Sequence, residues 1–137
     1  MEVLYSTTGI SSGDGRDGRA ALADGSLELT MAPPAETGGK GGGSNPEQLF
    51  ALGYAACLHS ALKVSGGRLE KKVAGSTVKA TVTIGRDESG YSLAVELSAA
   101  VPGLAEEEVR ELLEAAHEIC PYSKATRGNI LVTLTVG

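Results

Sequence analysis

Tryptophan is absent from this 137-residue chain, phenylalanine occurs once and tyrosine four times. So few rings leave little on which nucleobases could stack, and a core has to be assembled mainly from Ala, Val, Leu and Ile. No cluster of Lys and Arg stands out against the formal net charge of -5. Nothing would track a phosphate backbone, and nucleic acid is not an expected partner. No apolar run approaches the ~20 residues that span a bilayer, and the opening MEVLYSTTG lacks the charged, apolar and cleavable parts of a signal peptide. No membrane association is expected, and the expected compartment is the cytoplasm. Cysteine is scarce too, with only Cys57 and Cys120. In a reducing compartment such a pair is not expected to be a structural disulfide, which leaves a working redox pair, a metal site or inert core thiols. The 42% of apolar residues suffices for one domain over residues 1–137.

Periodicity supplies the elements. Val3, Tyr5 and Thr7 alternate as in a half-buried strand, and Gly13-Asp14-Gly15-Arg16-Asp17-Gly18 carries the turn chemistry of a hairpin. Leu27, Leu29 and Met31 line one side of another strand. From Ala32 to Ser44 the chain is rich in Pro and Gly and reads as a mobile connector. Its Gly-Gly-Lys-Gly-Gly-Gly-Ser run is not a phosphate loop, because Lys40 is followed by Gly41 rather than Ser or Thr.

Asn45-Pro46-Glu47 combines a cap, a proline suited to the first turn and an acidic side chain at the positive end of a helix. The helix is expected to run to about Ser65 and stop at Gly66-Gly67. Its residues leave no wide polar stripe, so it should be buried nearly all round. Two alternating strands follow, Thr77 to Ile84 and Tyr91 to Ala99, joined by a turn at Asp87-Glu88-Ser89-Gly90. A second helix opens near Ala105, carries Val109, Leu112, Leu113, Ala116 and Cys120 at helical spacing, and ends at Pro121. A last strand covers Ile130 to Val136. The fold class is α+β, with mostly antiparallel pairing and two long buried helices.

On the second helix Cys120 falls within about 20° of both Val109 and Leu113, so its sulfur points into the core. Cys57 lies midway along the first helix, and the two helices can pack only against one another or against the sheet. The metal alternative draws on Cys57-x-His59 and His117-x-x-Cys120, two sulfur and two nitrogen ligands of a kind zinc accepts. Against it, helical neighbours two apart point about 200° apart around the axis. Taken alone, Arg16 reads as a solvated charge in a turn and Glu47 as first-turn decoration. Tyr122 and Ser123 read as pocket groups or helix-end caps, and Arg127 as a partner of the acidic surface.

Two long motifs narrow the choice. Asn45-Pro46-Glu47-Gln48-Leu49-Phe50-Ala51 leading to Gly53-Tyr54-Ala55-Ala56-Cys57, and Cys120-Pro121-Tyr122-Ser123-Lys124-Ala125-Thr126-Arg127-Gly128-Asn129, resemble the organic hydroperoxide resistance proteins, a branch of the OsmC superfamily. The early Gly15-Arg16-Asp17-Gly18 and the terminal strand extend the resemblance through nearly the whole chain. It departs at Leu58-His59, where the family carries an aromatic residue.

The resemblance implies an OsmC-like fold, an intertwined homodimer and a thiol peroxidase without cofactor or metal. Cys57 is similar to the peroxide-attacking cysteine, Cys120 to the resolving one, and Arg16 and Glu47 to an active-site ion pair. It also implies organic hydroperoxide substrates and a dithiol reductant, lipoyl in kind. Elementary chemistry fits these roles. A thiol of ordinary pKa is only a few per cent thiolate at neutral pH and burial lowers that share, so Cys57 needs a cation such as Arg16, held in place by Glu47. Cys120, at a helix C-terminus, feels the negative end of the dipole, which suits the second step. Ten helical residues separate Glu47 from Cys57 by about 15 Å. Either the helix breaks, or the site is shared between two copies of the chain; the second is the expectation. A sister branch of the superfamily, or a non-catalytic binding protein of the same fold, is the remaining alternative.

Overall fold

The computed structural model describes all residues, Met1–Gly137, as two compact units, Met1–Leu49 and Phe50–Gly137.

The first unit is a three-stranded antiparallel sheet, with β1 (Gly9–Asp14), β2 (Asp17–Leu22) and β3 (Glu28–Met31) side by side in that order. The β1–β2 pairing runs from Gly9 opposite Leu22 to Asp14 opposite Asp17, which leaves Gly15 and Arg16 as a two-residue turn. Gly15 has φ 68°, the positive value such a turn requires at its first central position, so a glycine there places Arg16 at the hairpin tip. The alternation of Val3, Tyr5 and Thr7 does not become a strand. Pairing starts only at Gly9, and Val3 and Tyr5 lie exposed with no strand opposite them. The Pro- and Gly-rich stretch is a closed loop rather than a loose connector. Ala32 donates to the Ser44 carbonyl and Ser44 to that of Thr30, at 3.0 and 2.9 Å.

Helix α1 (Pro46–Arg68) begins in this unit and runs on in the second. Its start is a reciprocal cap, in which Gln48 N–H donates to Asn45 Oδ1 at 2.9 Å and Asn45 N–H to Gln48 Oε1 at 3.1 Å. The helix does not stop at Gly66-Gly67. Gly66 is buried because the following chain crosses it, and a Cβ there would meet Val73 Cγ1 at 2.9 Å and the Lys71 carbonyl at 3.1 Å. The glycine serves close packing, and the helix ends beyond it, where Glu70 takes φ 55°. Nor is α1 buried all round in the single chain. Tyr54, Leu58, Ala61 and Leu62 are buried, while Leu52 and Val64 stay exposed.

In the second unit β4 (Thr77–Asp87) and β5 (Gly90–Ala100) form a long hairpin in register from Thr77 opposite Ala100 to Asp87 opposite Gly90. Helices α2 (Glu106–Ile119) and α3 (Pro121–Thr126) then lead to β6 (Leu131–Val136), which lies parallel to β5. Three of the four strand pairings are antiparallel, and the fold is α+β as expected. Val95, Leu97 and Ala99 of β5 pack with Val109, Leu112, Leu113 and Ala116 of α2 and the buried face of α1 into one core. Burial at that density is what holds these elements together.

Helix α3 is a further departure from expectation. Pro121 ends α2 but also starts α3, since a proline lacking its N–H is unharmed in a first turn. Cys120, with φ −67° and ψ 124°, is the extended residue between the two helices. No helix in the chain is long and apolar enough to cross a membrane.

Candidate active site

The four residues singled out in the sequence come together as two pairs, one in each unit. In the first unit Arg16, at the hairpin tip, meets Glu47, in the first turn of α1. The guanidinium donates twice to the carboxylate, Nη1 to Oε2 at 2.9 Å and Nη2 to Oε1 at 2.7 Å. This planar two-bond geometry is specific to Arg and fixes the orientation of its charge. Arg16 is half exposed and Glu47 much less so. The bond to Glu47 raises the pKa of Arg16, and the same bond holds the Glu47 carboxyl below its ordinary value. Next to Arg16 in the sequence, Asp17 pairs with Lys40 at 3.2 Å.

In the second unit Cys120 donates to Cys57 across 3.2 Å, sulfur to sulfur, and both thiols are free. Cys120 is buried and Cys57 half-buried. Burial pushes the Cys57 thiol up, a backbone hydrogen bond from Tyr122 draws it down, and the neighbouring Cys120 adds to the rise. Two reduced sulfurs in contact within a packed core need little movement to bond.

The surroundings contain groups that periodicity did not single out. Tyr122 lies across α1 at Gly53, where an added Cβ would come within 2.6 Å of its hydroxyl. Its ring meets those of Phe50 and Tyr54, with centroids 6.2 and 5.6 Å away. Tyr54, read in the sequence as one more apolar residue of the helix, is fully buried and bonded through its hydroxyl to Ser123 Oγ at 2.9 Å and Thr126 Oγ1 at 3.0 Å. Ser123 also meets His117 Nδ1 at 2.6 Å. Arg127 does not serve the acidic surface; it donates to the His117 carbonyl at 2.6 Å, which satisfies a free acceptor at the end of α2. A signal was available, because Ser123 and Thr126 are spaced by three on a segment that can start a helix at Pro121.

The zinc ligand set does not assemble. His59 Nε2 is bonded to Ser76 Oγ at 2.9 Å and His117 to Ser123, and no three His, Cys, Asp or Glu side chains gather as a metal group. Where the resemblance departs, Leu58 is buried in the core and His59 ties α1 to Ser76.

Comparison with known proteins places the chain in a family. Residues 39–135 match the family model described as "OsmC-like protein". An organic hydroperoxide resistance protein of Xanthomonas axonopodis pv. citri is 46% identical, over 98% of this chain and 96% of its own. One from Bacillus subtilis is 43% identical over 97% and 96%. Among solved structures, an organic hydroperoxide resistance protein of Elizabethkingia anophelis superposes with a TM-score of 0.92 at 45% identity, covering 100% of this chain and 99% of its own. One from Legionella pneumophila gives 0.92 at 42% identity, covering 99% of each chain. This chain belongs to the OsmC-like family, on the branch of the organic hydroperoxide resistance proteins.

Proposed function

We propose that the chain is a cysteine-based peroxidase that reduces organic hydroperoxides to alcohols. The observation that carries this reading is the 3.2 Å separation of the Cys57 and Cys120 sulfurs in a chain whose relatives are named for organic hydroperoxide resistance. The half-buried Cys57 is the sulfur a substrate can reach. Its thiolate attacks one peroxide oxygen, the O–O bond breaks, and the alkoxide leaves with a proton as alcohol, so that Cys57 becomes a sulfenic acid. Cys120 is already in contact with the sulfur it has to capture. A thiol–sulfenic acid condensation yields the Cys57–Cys120 disulfide, which an external dithiol reduces by exchange; the family resemblance points to a lipoyl group.

Arg16 and Glu47 enter as the activating pair, supplied by a second copy of the chain. Helix α1 is unbroken from Pro46 to Arg68, so ten residues of helix hold Glu47 about 15 Å along the axis from Cys57 of the same chain. The apolar side chains of Leu52 and Val64, exposed on that helix, are what a partner would cover. The unit carrying the ion pair also contains an apolar cavity of about 260 Å³ lined by Ile10, Leu22, Leu27, Leu29 and Leu49. An alkyl chain fits such walls better than hydrogen peroxide does.

The test is peroxide consumption by the purified protein with a dithiol reductant, comparing an alkyl hydroperoxide with hydrogen peroxide. Rapid turnover of the first and slow turnover of the second are expected. Equal, slow rates with both would overturn the reading.

A further inference from the structure

The peroxidase chemistry leaves unused a buried polar chain running from His117 through Ser123 and Tyr54 to Thr126. Its three links measure 2.6, 2.9 and 3.0 Å, and Tyr54, Ser123 and Thr126 are all buried. Its place relative to the cysteines is regular. Tyr54 lies one turn before Cys57 on α1, His117, near the end of α2, lies three residues before Cys120, and Ser123, on α3, lies three residues beyond it. On a helix residues three apart share a face, as Tyr54 and Cys57 do on α1, whereas His117 and Ser123 flank the extended Cys120 from α2 and α3, so the polar chain ties together the segments on either side of the two sulfurs.

We propose that His117, Ser123 and Tyr54 are positioning residues that hold Cys120 against Cys57 for disulfide formation. The site needs such a device because Cys120 sits at an interruption. It is extended, between the end of α2 and the proline that opens α3, so no continuous helical ladder fixes the angle between the two helices. The polar chain spans that corner from His117 to Ser123, and the Arg127 bond to the His117 carbonyl spans it again. Tyr54 then anchors the corner to α1.

The hydrogen bonds can run in either direction without leaving a group unmet. Ser123 can donate to His117 Nδ1, Tyr54 to Ser123 and Thr126 to Tyr54. Alternatively His117 donates to Ser123, Ser123 to Tyr54, Tyr54 to Thr126 and Thr126 to the Ser123 carbonyl at 3.2 Å. The brace therefore survives a change of histidine tautomer.

This inference deepens the peroxidase reading and rests on it for the step served. In that step the S–S bond forms, the Cys57 S–O bond breaks, and the Cys120 thiol proton leaves with the hydroxyl as water. Cys57 is reduced from sulfenic acid and Cys120 oxidised, so no further oxidant enters. An unbraced Cys120 spends less time in contact, which slows this step and weakens the disulfide it forms, without touching the attack on peroxide.

The experiment uses the full chain and the variants Tyr54→Phe, Ser123→Ala, His117→Ala and His117→Asn, the last keeping a polar group near the Nδ1 position. The dithiol–disulfide constant of Cys57 and Cys120 is measured against a dithiol/disulfide redox buffer. It is expected to fall about tenfold in the first three variants, equivalent to ~30 mV for a two-electron couple, and to recover in His117→Asn. With an alkyl hydroperoxide, those three should release the first equivalent of alcohol at the wild-type rate but accumulate sulfenic acid that a 1,3-dione traps. Tyr54→Phe keeps the ring in its packing, so its result stands if the others fold poorly. Unchanged constants and no trapped sulfenic acid would overturn the brace. The redox-buffer measurement needs no peroxide, so a wild-type protein inert to hydroperoxide would refute the peroxidase reading while this arm still decides the positioning claim.

Discussion

Replacing Arg16 by Met removes the one cation assigned to activating Cys57, and the size of the effect can be worked out beforehand. In the single chain burial pushes the Cys57 thiol up, and only a backbone N–H of Tyr122 opposes that directly. A unit charge about 5 Å from a sulfur is worth between ~0.8 and ~3.3 kcal/mol as the effective dielectric falls from ~80 to ~20. Arg16 is half exposed and bonded twice to Glu47, which cancels part of its field, so the lower half of that range applies. A pKa rise of about one unit, ~1.4 kcal/mol, follows for Arg16→Met. The thiolate share at pH 7 then drops about tenfold. A more basic thiolate is also a better nucleophile, by about threefold per unit, so the net alkylation rate at pH 7 falls only about three- to fourfold while the high-pH plateau rises. Iodoacetamide alkylation against pH, in a Cys120→Ser background so that one thiol reports, reads both changes. An unchanged midpoint with an unchanged plateau would refute the assignment of Arg16, and with it the shared site.

Three further outcomes are expected. Gly66→Ala should destabilise the protein by about 1–3 kcal/mol in denaturant unfolding despite the better helix propensity of Ala, because the new methyl group meets Val73 and the Lys71 carbonyl within 3.1 Å. His117 is held below its ordinary pKa, first by burial and then by Arg127, against a smaller opposing pull from Glu118. The unfolded chain therefore binds the proton more readily, stability declines as pH falls below about 6.5 towards the lowered folded value, and thermal melts of His117→Asn should lack that segment of the decline. Diluting the protein until copies separate should slow Cys57 alkylation at pH 7, as Arg16→Met does; a rate independent of concentration across a measured dissociation would count against a shared site.

What the sequence disclosed depended on whether the signal was local. The start of α1 was legible because Asn45, Pro46 and Gln48 act within one turn, and the reciprocal cap they form involves no distant residue. The apolar stripe of α2 was legible for a similar reason, since Val109, Leu112, Leu113 and Ala116 repeat at the helical period and all four are buried. Where meaning depended on a distant segment the reading missed. Gly66 reads locally as a stop, although its role is set by Val73 and Lys71 crossing it. Residues 3–7 alternate like a strand but have no strand opposite them. Tyr54 reads as one more apolar residue of its helix because its hydroxyl partners lie 69 and 72 residues away. Cys120 could be placed on an inward face from periodicity and Cys57 only on a helix apolar nearly all round, but their 3.2 Å contact depends on the bend at Cys120, where Pro121 is both the end of α2 and the start of α3.

The central claim is that Cys57 attacks and Cys120 resolves, and a single turnover with one equivalent of an alkyl hydroperoxide tests it most directly. Cys57→Ser should release no alcohol. Cys120→Ser should release about one equivalent and stop with Cys57 as a sulfenic acid, visible as a 1,3-dione adduct in the mass of the peptide containing it. The wild-type chain should release the same equivalent and end as the Cys57–Cys120 disulfide. Alcohol release by Cys57→Ser, or a Cys120→Ser protein with no oxidised Cys57, would contradict the account.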